Sequence, residues 1–254
     1  MQVPRIAYAA NRRLGLDCLD ALIEAGLPPV CLLLPAADQA SHAAEMRERV
    51  GDIPVIEGRL ANRPDGIGRL RASAPDYLIS VHYPYLFSAD VLRVPRLGAL
   101  NLHPAWLPYN RGWHTPSWAI LEKSPVGATL HWISEALDAG DIALQRAVTV
   151  SPADTADALY QKILAAEAAL FTEALPSIQR MALARVAQPA GGSFHRRSEL
   201  EAVRRIDLDA SVRAGDLIDR LRALTTNRPD EWAWIDTPEG RFRIGIQIEP
   251  DGEA

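Results

Sequence analysis

Cysteine is nearly absent. The 254 residues include two, Cys18 and Cys31, with no CxxC spacing and no Cys/His cluster around them. That excludes a disulfide scaffold and offers no zinc-ligand pattern, so no metal is expected. Both cysteines lie in apolar segments and read as buried free thiols. Long apolar runs are missing too: nothing approaches the roughly 18 residues that cross a bilayer. The start, MQVPRIAYAANRR, lacks the basic-then-apolar layout of a signal peptide. No membrane partner and a cytoplasmic location are therefore expected. Basic charge is not concentrated. The formal net charge is −5 and the basic residues, mostly arginines, are scattered, so a nucleic-acid footprint is not expected. A local arginine pocket for one or two phosphates stays open. No Gly-x-Gly-x-x-Gly occurs, so dinucleotide binding has no support.

The mix that is present, 48% hydrophobic and 23% charged, is that of an ordinary globular chain able to bury a full core. Its length suits one large domain, or one domain and a small appendage. Short apolar runs at 4–9, 29–34, 53–56, 76–81 and 98–103 read as strands. Between them, helical patterns cover the Leu16–Ile23 stripe ending at Gly26, 38–50, 64–74, and a short helix from a Ser88 cap to Leu92. This alternation predicts an α/β fold, an open and mostly parallel Rossmann-like sheet with helices on both faces. Two strands at 126–134 and 141–150 joined at Leu137-Asp138-Ala139-Gly140, a long helix from Asp154 or Thr155 to about Met181, and a linker at 187–193 follow. Helices near 198–204 and 210–224 and a hairpin over 232–248 close the chain. The expected domains are 1–190, carrying the chemistry, and 191–254, a small α+β piece with a β-hairpin.

Three features converge. Asn101-Leu102-His103-Pro104 ends a predicted strand, and residues two apart on a strand share a face. Asn101 and His103 then project together where open α/β sheets meet ligands. The loop Leu107-Pro108-Tyr109-Asn110-Arg111-Gly112-Trp113-His114-Thr115-Pro116 carries Arg, two aromatics, His and Asn within six positions, more than a connecting loop needs. Leu137-Asp138-Ala139-Gly140-Asp141 is a turn presenting carboxylates. Singly, each has an ordinary structural explanation; their order and spacing are far more specific.

NLHPAWLP, the Arg-Gly loop, and LDAGD about 35 positions after His103 together resemble the formyltransferase family, as does the upstream PDYLISVHYPYLFSADVLRVPRLGALNLHP. The resemblance is strong over 76–165 and weaker over 1–75. It implies an Asn/His/Asp catalytic triad at Asn101, His103 and Asp138, with N10-formyltetrahydrofolate as formyl donor. The physics agrees: an amide N–H suits the oxyanion of a tetrahedral intermediate, an imidazole the same charge or the amine proton, and a carboxylate the orientation of that imidazole.

The resemblance also implies a folate pocket at His82, Tyr83, Tyr85, Leu86 and Phe87, with Asp141 nearby, since aromatics and backbone amides suit a flat ring. Tyr109, Asn110, Arg111 and His114 are expected at the acceptor, with Arg12 and Arg13 as a phosphate site at a helix start or, equally, a solvated basic loop. Trp113, His114 and Trp118 also fit plain helix packing, and His131 reads as a satisfied structural histidine.

The 107–120 loop and Leu221-Arg222-Ala223-Leu224-Thr225-Thr226-Asn227 look most like the nucleotide-sugar branch, whose partners are a nucleotide sugar and a second copy of the chain. In that branch the acceptor is a dTDP-linked amino sugar, here expected to be dTDP-4-amino-4,6-dideoxyglucose, and the setting is lipopolysaccharide O-antigen biosynthesis. GDP-perosamine, a dTDP-3-amino sugar, glycinamide ribonucleotide and methionyl-tRNA are alternative acceptors. Formyltetrahydrofolate hydrolysis and a non-catalytic binding module are the competing readings, because fold alone does not settle activity.

Overall fold

The computed structural model describes residues 3–252. In chain order the elements are β1 (Ile6–Ala10), α1 (Arg12–Glu24), β2 (Cys31–Leu34), α2 (Ala43–Val50), β3 (Val55–Glu57), α3 (Pro64–Ala72), β4 (Tyr77–Val81), α4 (Ala89–Leu92), β5 (Gly98–His103), β6 (Arg111–Gly112), α5 (Thr115–Glu122), β7 (Gly127–Trp132), β8 (Ile142–Ala147), α6 (Ala156–Gln179), β9 (Phe194–His195), α7 (Ala214–Leu224), β10 (Ala233–Thr237) and β11 (Gly240–Ile244). Packing divides them into two compact units. The first comprises 1–103, 129–146 and 167–188; the second comprises 104–128, 147–166 and 189–254.

The first unit is built on a seven-stranded sheet in the order β3-β2-β1-β4-β5-β7-β8. β1 to β5 are parallel, and β7 returns antiparallel to β5. β1, β2 and β4 are buried throughout because helices cover both faces, so they read as apolar runs. Alternation sorts their side chains. Ala7, Ala9, Cys31, Leu33, Leu78 and Ala99 share one core cluster with α3 and α4 residues Leu70 and Val91. Tyr8 faces the other way, donating its hydroxyl to the Gly15 carbonyl of α1 at 2.7 Å. Both cysteines are buried free thiols. The order β3-β2-β1-β4-β5 reverses direction between β1 and β4, the switch point outside whose carboxyl ends such sheets bind ligands. Register aligns Ala10 with Val81 and Val81 with Leu102, so the next residues, Asn11, His82 and His103, form a row along that edge.

One element starts later than its pattern suggests. The helix expected from residue 38 begins at Ala43. Before it, the Asn11 side chain donates to the Gln39 carbonyl at 3.1 Å and accepts from the Ser41 amide at 2.9 Å, and these bonds hold 39–41 in a turn.

In the second unit α5 packs on α7. Buried Ala119, Ile120, Val126, Leu159 and Ala223 form one cluster, and Leu200, Leu224 and Ala233 another. The buried Arg222 guanidinium uses all three of its nitrogens, donating to the Asp154 and Ser151 carbonyls at 2.8 and 3.0 Å and pairing with Asp219 at 2.9 Å. The segment expected to be helical near 198–204 is a 3-10 turn, Glu199–Val203. β10 and β11 form the antiparallel C-terminal hairpin.

Candidate active site

Asn101 and His103 follow Ala99 at two-residue spacing on β5, so all three face one side of the sheet. Pro104 ends the strand by withholding an N–H. Asp138 reaches the same place from the turn between β7 and β8. That turn is held by the Gln188 amide, which donates to the Asp138 carbonyl at 2.9 Å and the Gly140 carbonyl at 2.7 Å. Gly140 is required by close approach: a Cβ there would lie 1.9 Å from the Trp132 carbonyl oxygen. Asp138 itself has φ 50°, a conformation Asp and Asn accept more readily than most residues.

The three side chains expected from sequence are brought together. His103 Nε2 lies 3.8 Å from Asp138 Oδ2, and both side chains are about nine-tenths buried. His103 Nε2 has no hydrogen-bond partner among the described residues. A fourth residue completes the cluster. His131 stands directly across from Asn101 in the β5–β7 register. Its Nε2 is 3.3 Å from Asn101 Nδ2 and 3.7 Å from Asp138 Oδ1, and its Nδ1 is 3.0 Å from the Trp132 carbonyl. The sequence predicts a satisfied structural histidine at His131, and its burial and its bond to the Trp132 carbonyl agree with that. Its place beside Asn101 shows only through strand pairing, since thirty positions separate the two.

Burial pushes the His131 pKa down to about 4, helped by neighbouring His103 and opposed by Asp138 and the Trp132 carbonyl. The folded value is below the ordinary 6.5, so between these values the unfolded chain binds more protons and stability rises with pH. His131 is therefore expected to contribute full stability above about pH 6.5 and to lose up to about 3 kcal/mol of it as pH falls toward 4. Urea melts at pH 7, 5.5 and 4.5 of the wild type and His131→Leu check this. The variant should lack that part of the slope; identical slopes would assign the titration elsewhere.

The residues expected at the folate follow β4. Tyr83 stacks on Phe87 with ring centres 5.3 Å apart and meets Tyr85 edge-on at 5.4 Å. Tyr83 and Phe87 pack on the core. The Tyr83 hydroxyl donates to the Gly58 carbonyl, and the Tyr85 hydroxyl accepts from the Ala36 amide. Leu86 is exposed. His82, at φ 53°, is pinned to the fully buried Glu167 of α6 through Nε2, 3.1 Å from Oε2. Asp141 accepts the Trp132 amide through its carbonyl. Arg12 and Arg13 open α1, where Arg13 pairs with Asp17 at 2.7 Å on the surface.

The remaining expected residues belong to the second unit. β6 pairs with β9, so Arg111 and Gly112 are held beside Phe194 and His195. Asn110 is buried, bonded to Ser193 and Ser124. Arg111 Nε is buried without a hydrogen-bond partner among the described residues. Tyr109 is exposed, and burial lowers the His114 pKa, keeping its imidazole neutral. Trp118 stacks on His195 at 4.1 Å, whereas Trp113 is half exposed with Arg197 over its ring, not packed on a helix.

Among the described residues no three His, Cys, Asp or Glu side chains gather as metal ligands, and no helix is long and apolar enough to cross a membrane.

Residues 33–175 match the formyl transferase family and residues 199–250 the N-formyltransferase dimerization C-terminal domain. The chain belongs to the formyl transferase family and is an enzyme of that class. It is 26% identical over 220 residues to dTDP-4-amino-4,6-dideoxyglucose formyltransferase of Mycobacterium tuberculosis (strain ATCC 25618 / H37Rv), covering 84% of this chain and 93% of that protein. It is 26% identical over 243 residues to the bifunctional polymyxin resistance protein ArnA of Wigglesworthia glossinidia brevipalpis, covering 92% of this chain but only 36% of that longer relative. Among solved structures it resembles a 4-N formyltransferase from Francisella tularensis, with TM-score 0.83, 26% identity, and 98% and 99% of the two chains covered. It also resembles the formyltransferase PseJ from Anoxybacillus kamchatkensis in complex with UDP-4,6-dideoxy-4-formamido-L-AltNAc and tetrahydrofolate, with TM-score 0.53, 28% identity, and 68% and 88% covered.

Proposed function

We propose that this enzyme moves a formyl group from N10-formyltetrahydrofolate to the amine of a nucleotide-linked amino sugar, with dTDP-4-amino-4,6-dideoxyglucose as the acceptor. The observation that carries this reading is the meeting of Asn101, His103 and Asp138 at the carboxyl edge of the sheet. Family membership supports the transfer chemistry, and the mycobacterial relative supports the acceptor. The PseJ complex, crystallised with a tetrahydrofolate and a formamido sugar nucleotide, supports the donor.

The neutral amine attacks the formyl carbon, a C–N bond forms, and the carbonyl oxygen becomes an oxyanion. Asn101 donates an amide hydrogen to that oxygen, a contact stronger in the intermediate than in the substrate. His103, whose Nε2 makes no hydrogen bond among the described residues, stabilises the same charge. Asp138 orients the imidazole and takes the proton the amine must shed. As the intermediate collapses the carbon–N10 bond breaks, and the proton ends on N10 of tetrahydrofolate. His82, Tyr83, Tyr85, Leu86, Phe87 and Asp141 form the folate side. Tyr109, Asn110, Arg111 and His114 are assigned to acceptor binding, and Arg12 and Arg13 to its phosphates.

Residues 1–190 act as the catalytic domain and 191–254 as the C-terminal α+β domain, a division in keeping with the two family matches. The second match also supports a homodimer. The reaction belongs in the cytoplasm, where the folate and sugar-nucleotide pools reside, in the service of O-antigen synthesis.

The acceptor is tested by comparing kcat/KM for dTDP-4-amino-4,6-dideoxyglucose, its 3-amino counterpart, GDP-perosamine, UDP-4-amino-arabinose and glycinamide ribonucleotide. The first is expected to lead by at least about tenfold, the lower end of what a single small group difference in a pocket gives. A faster reaction with another member would reassign the acceptor and leave the transfer chemistry in place.

A further inference from the structure

We infer that His131 is a positioning residue for formyl transfer: as a neutral base carrying its proton on Nδ1, it fixes the amide orientation of Asn101. The inference rests on the catalytic reading of Asn101 given above.

The tautomer follows from two distances. Nδ1 is 3.0 Å from the Trp132 carbonyl oxygen, which can only accept, so Nδ1 carries the hydrogen. Nε2 then presents a lone pair, and the Asn101 amide nitrogen lies 3.3 Å from it. The opposite tautomer would set a bare Nδ1 against a carbonyl oxygen and would point Nε2–H at Asp138 Oδ1, 3.7 Å away and beyond hydrogen-bond reach.

A lone asparagine amide exchanges oxygen for nitrogen by a half-turn of its terminal torsion, at little cost. Here that flip would bring Oδ1 against the Nε2 lone pair. His131 therefore holds Nδ2 in place. One amide hydrogen is committed to the imidazole and the other is free for the oxyanion. The ring itself is locked: its side chain is 2% exposed, and the β5–β7 register sets it opposite Asn101. The titratable groups facing it are His103, with ring centres 6.1 Å apart, and Asp138. Burial, with the neighbouring imidazole, keeps His131 uncharged at neutral pH.

The test compares Asn101→Ala, His131→Leu, His131→Gln and the Asn101→Ala/His131→Leu double variant, each checked for an unchanged thermal midpoint. His131→Leu is expected to lower kcat about tenfold with both KM values unchanged. That is less than the roughly 100- to 1,000-fold loss of an oxyanion donor. His131→Gln, whose carbonyl can accept, should recover part of the rate. The double variant should be no slower than Asn101→Ala alone, because the imidazole acts only through that amide. Multiplying losses, or a His131→Leu enzyme with unimpaired kcat, would overturn the inference. An Asn101→Ala enzyme as fast as wild type would instead sink the role of Asn101, a different failure. Should the leucine variant not fold, 15N NMR of the wild-type imidazoles decides. A lone-pair shift at His131 Nε2 at pH 7 supports the inference, and a protonated Nε2 overturns it.

Discussion

Asp138→Asn is expected to lower turnover about 100-fold or more while leaving stability and ligand affinity nearly unchanged. The substitution is clean because Asp138 sits at φ 50°, which asparagine accepts equally well. The turn is held through backbone carbonyls by Gln188 and not by the carboxylate alone. What changes is charge. The carboxylate lies 3.8 Å from His103 Nε2, beyond direct hydrogen-bond reach, so it acts on the imidazole through its field and, through a water, takes the amine proton. An amide does neither as a base. His103→Ala should cause a loss of the same order, since the two side chains act as a unit and their effects do not multiply. Steady-state kinetics with the native acceptor measures both. Near-normal turnover in either variant would show that the proton leaves by another route.

His82→Asn is expected to destabilise the protein by about 1–3 kcal/mol, the cost of leaving the buried Glu167 carboxyl without its hydrogen-bond partner. Glu167 is fully buried, and both its oxygens face His82 Nε2, at 3.1 and 3.3 Å. Asparagine tolerates the φ of 53° but is too short to reach the carboxylate. Glu167→Gln, which keeps a hydrogen bond without the charge, should cost only about 1 kcal/mol. A shift in urea midpoint at constant m-value reads the difference. If both variants melted as wild type does, the His82–Glu167 contact would be contributing nothing to stability. Because His82 opens the loop assigned to folate, a rise in donor KM should accompany the loss of stability.

Much of this architecture was legible in the residues themselves. β5 was expected at 98–103 and runs Gly98–His103, because a positive-φ glycine and a proline bracket it. The Ser88 cap is present, with its hydroxyl accepting the Val91 amide. Two-residue spacing on a strand that ends at a sheet edge put Asn101 and His103 on one face, whereas Asp138 was expected only through the family resemblance. What stayed hidden depends on contacts distant in sequence. The delayed start of α2 comes from the Asn11 side chain, about thirty residues upstream. His131 took on meaning only once β7 was known to lie antiparallel beside β5. Likewise nothing in the composition of α6 announces that Glu167 meets His82.

The central claim is that this site carries a formyl group to a sugar amine. The most direct test is to incubate the enzyme with N10-formyltetrahydrofolate labelled with 13C in the formyl carbon and with dTDP-4-amino-4,6-dideoxyglucose, then follow the label by NMR and the sugar nucleotide by mass. The account predicts a labelled formamide on the sugar, a mass gain of one formyl group, and loss of both signals in Asp138→Asn. Labelled formate appearing in solution with the sugar nucleotide unchanged would contradict it.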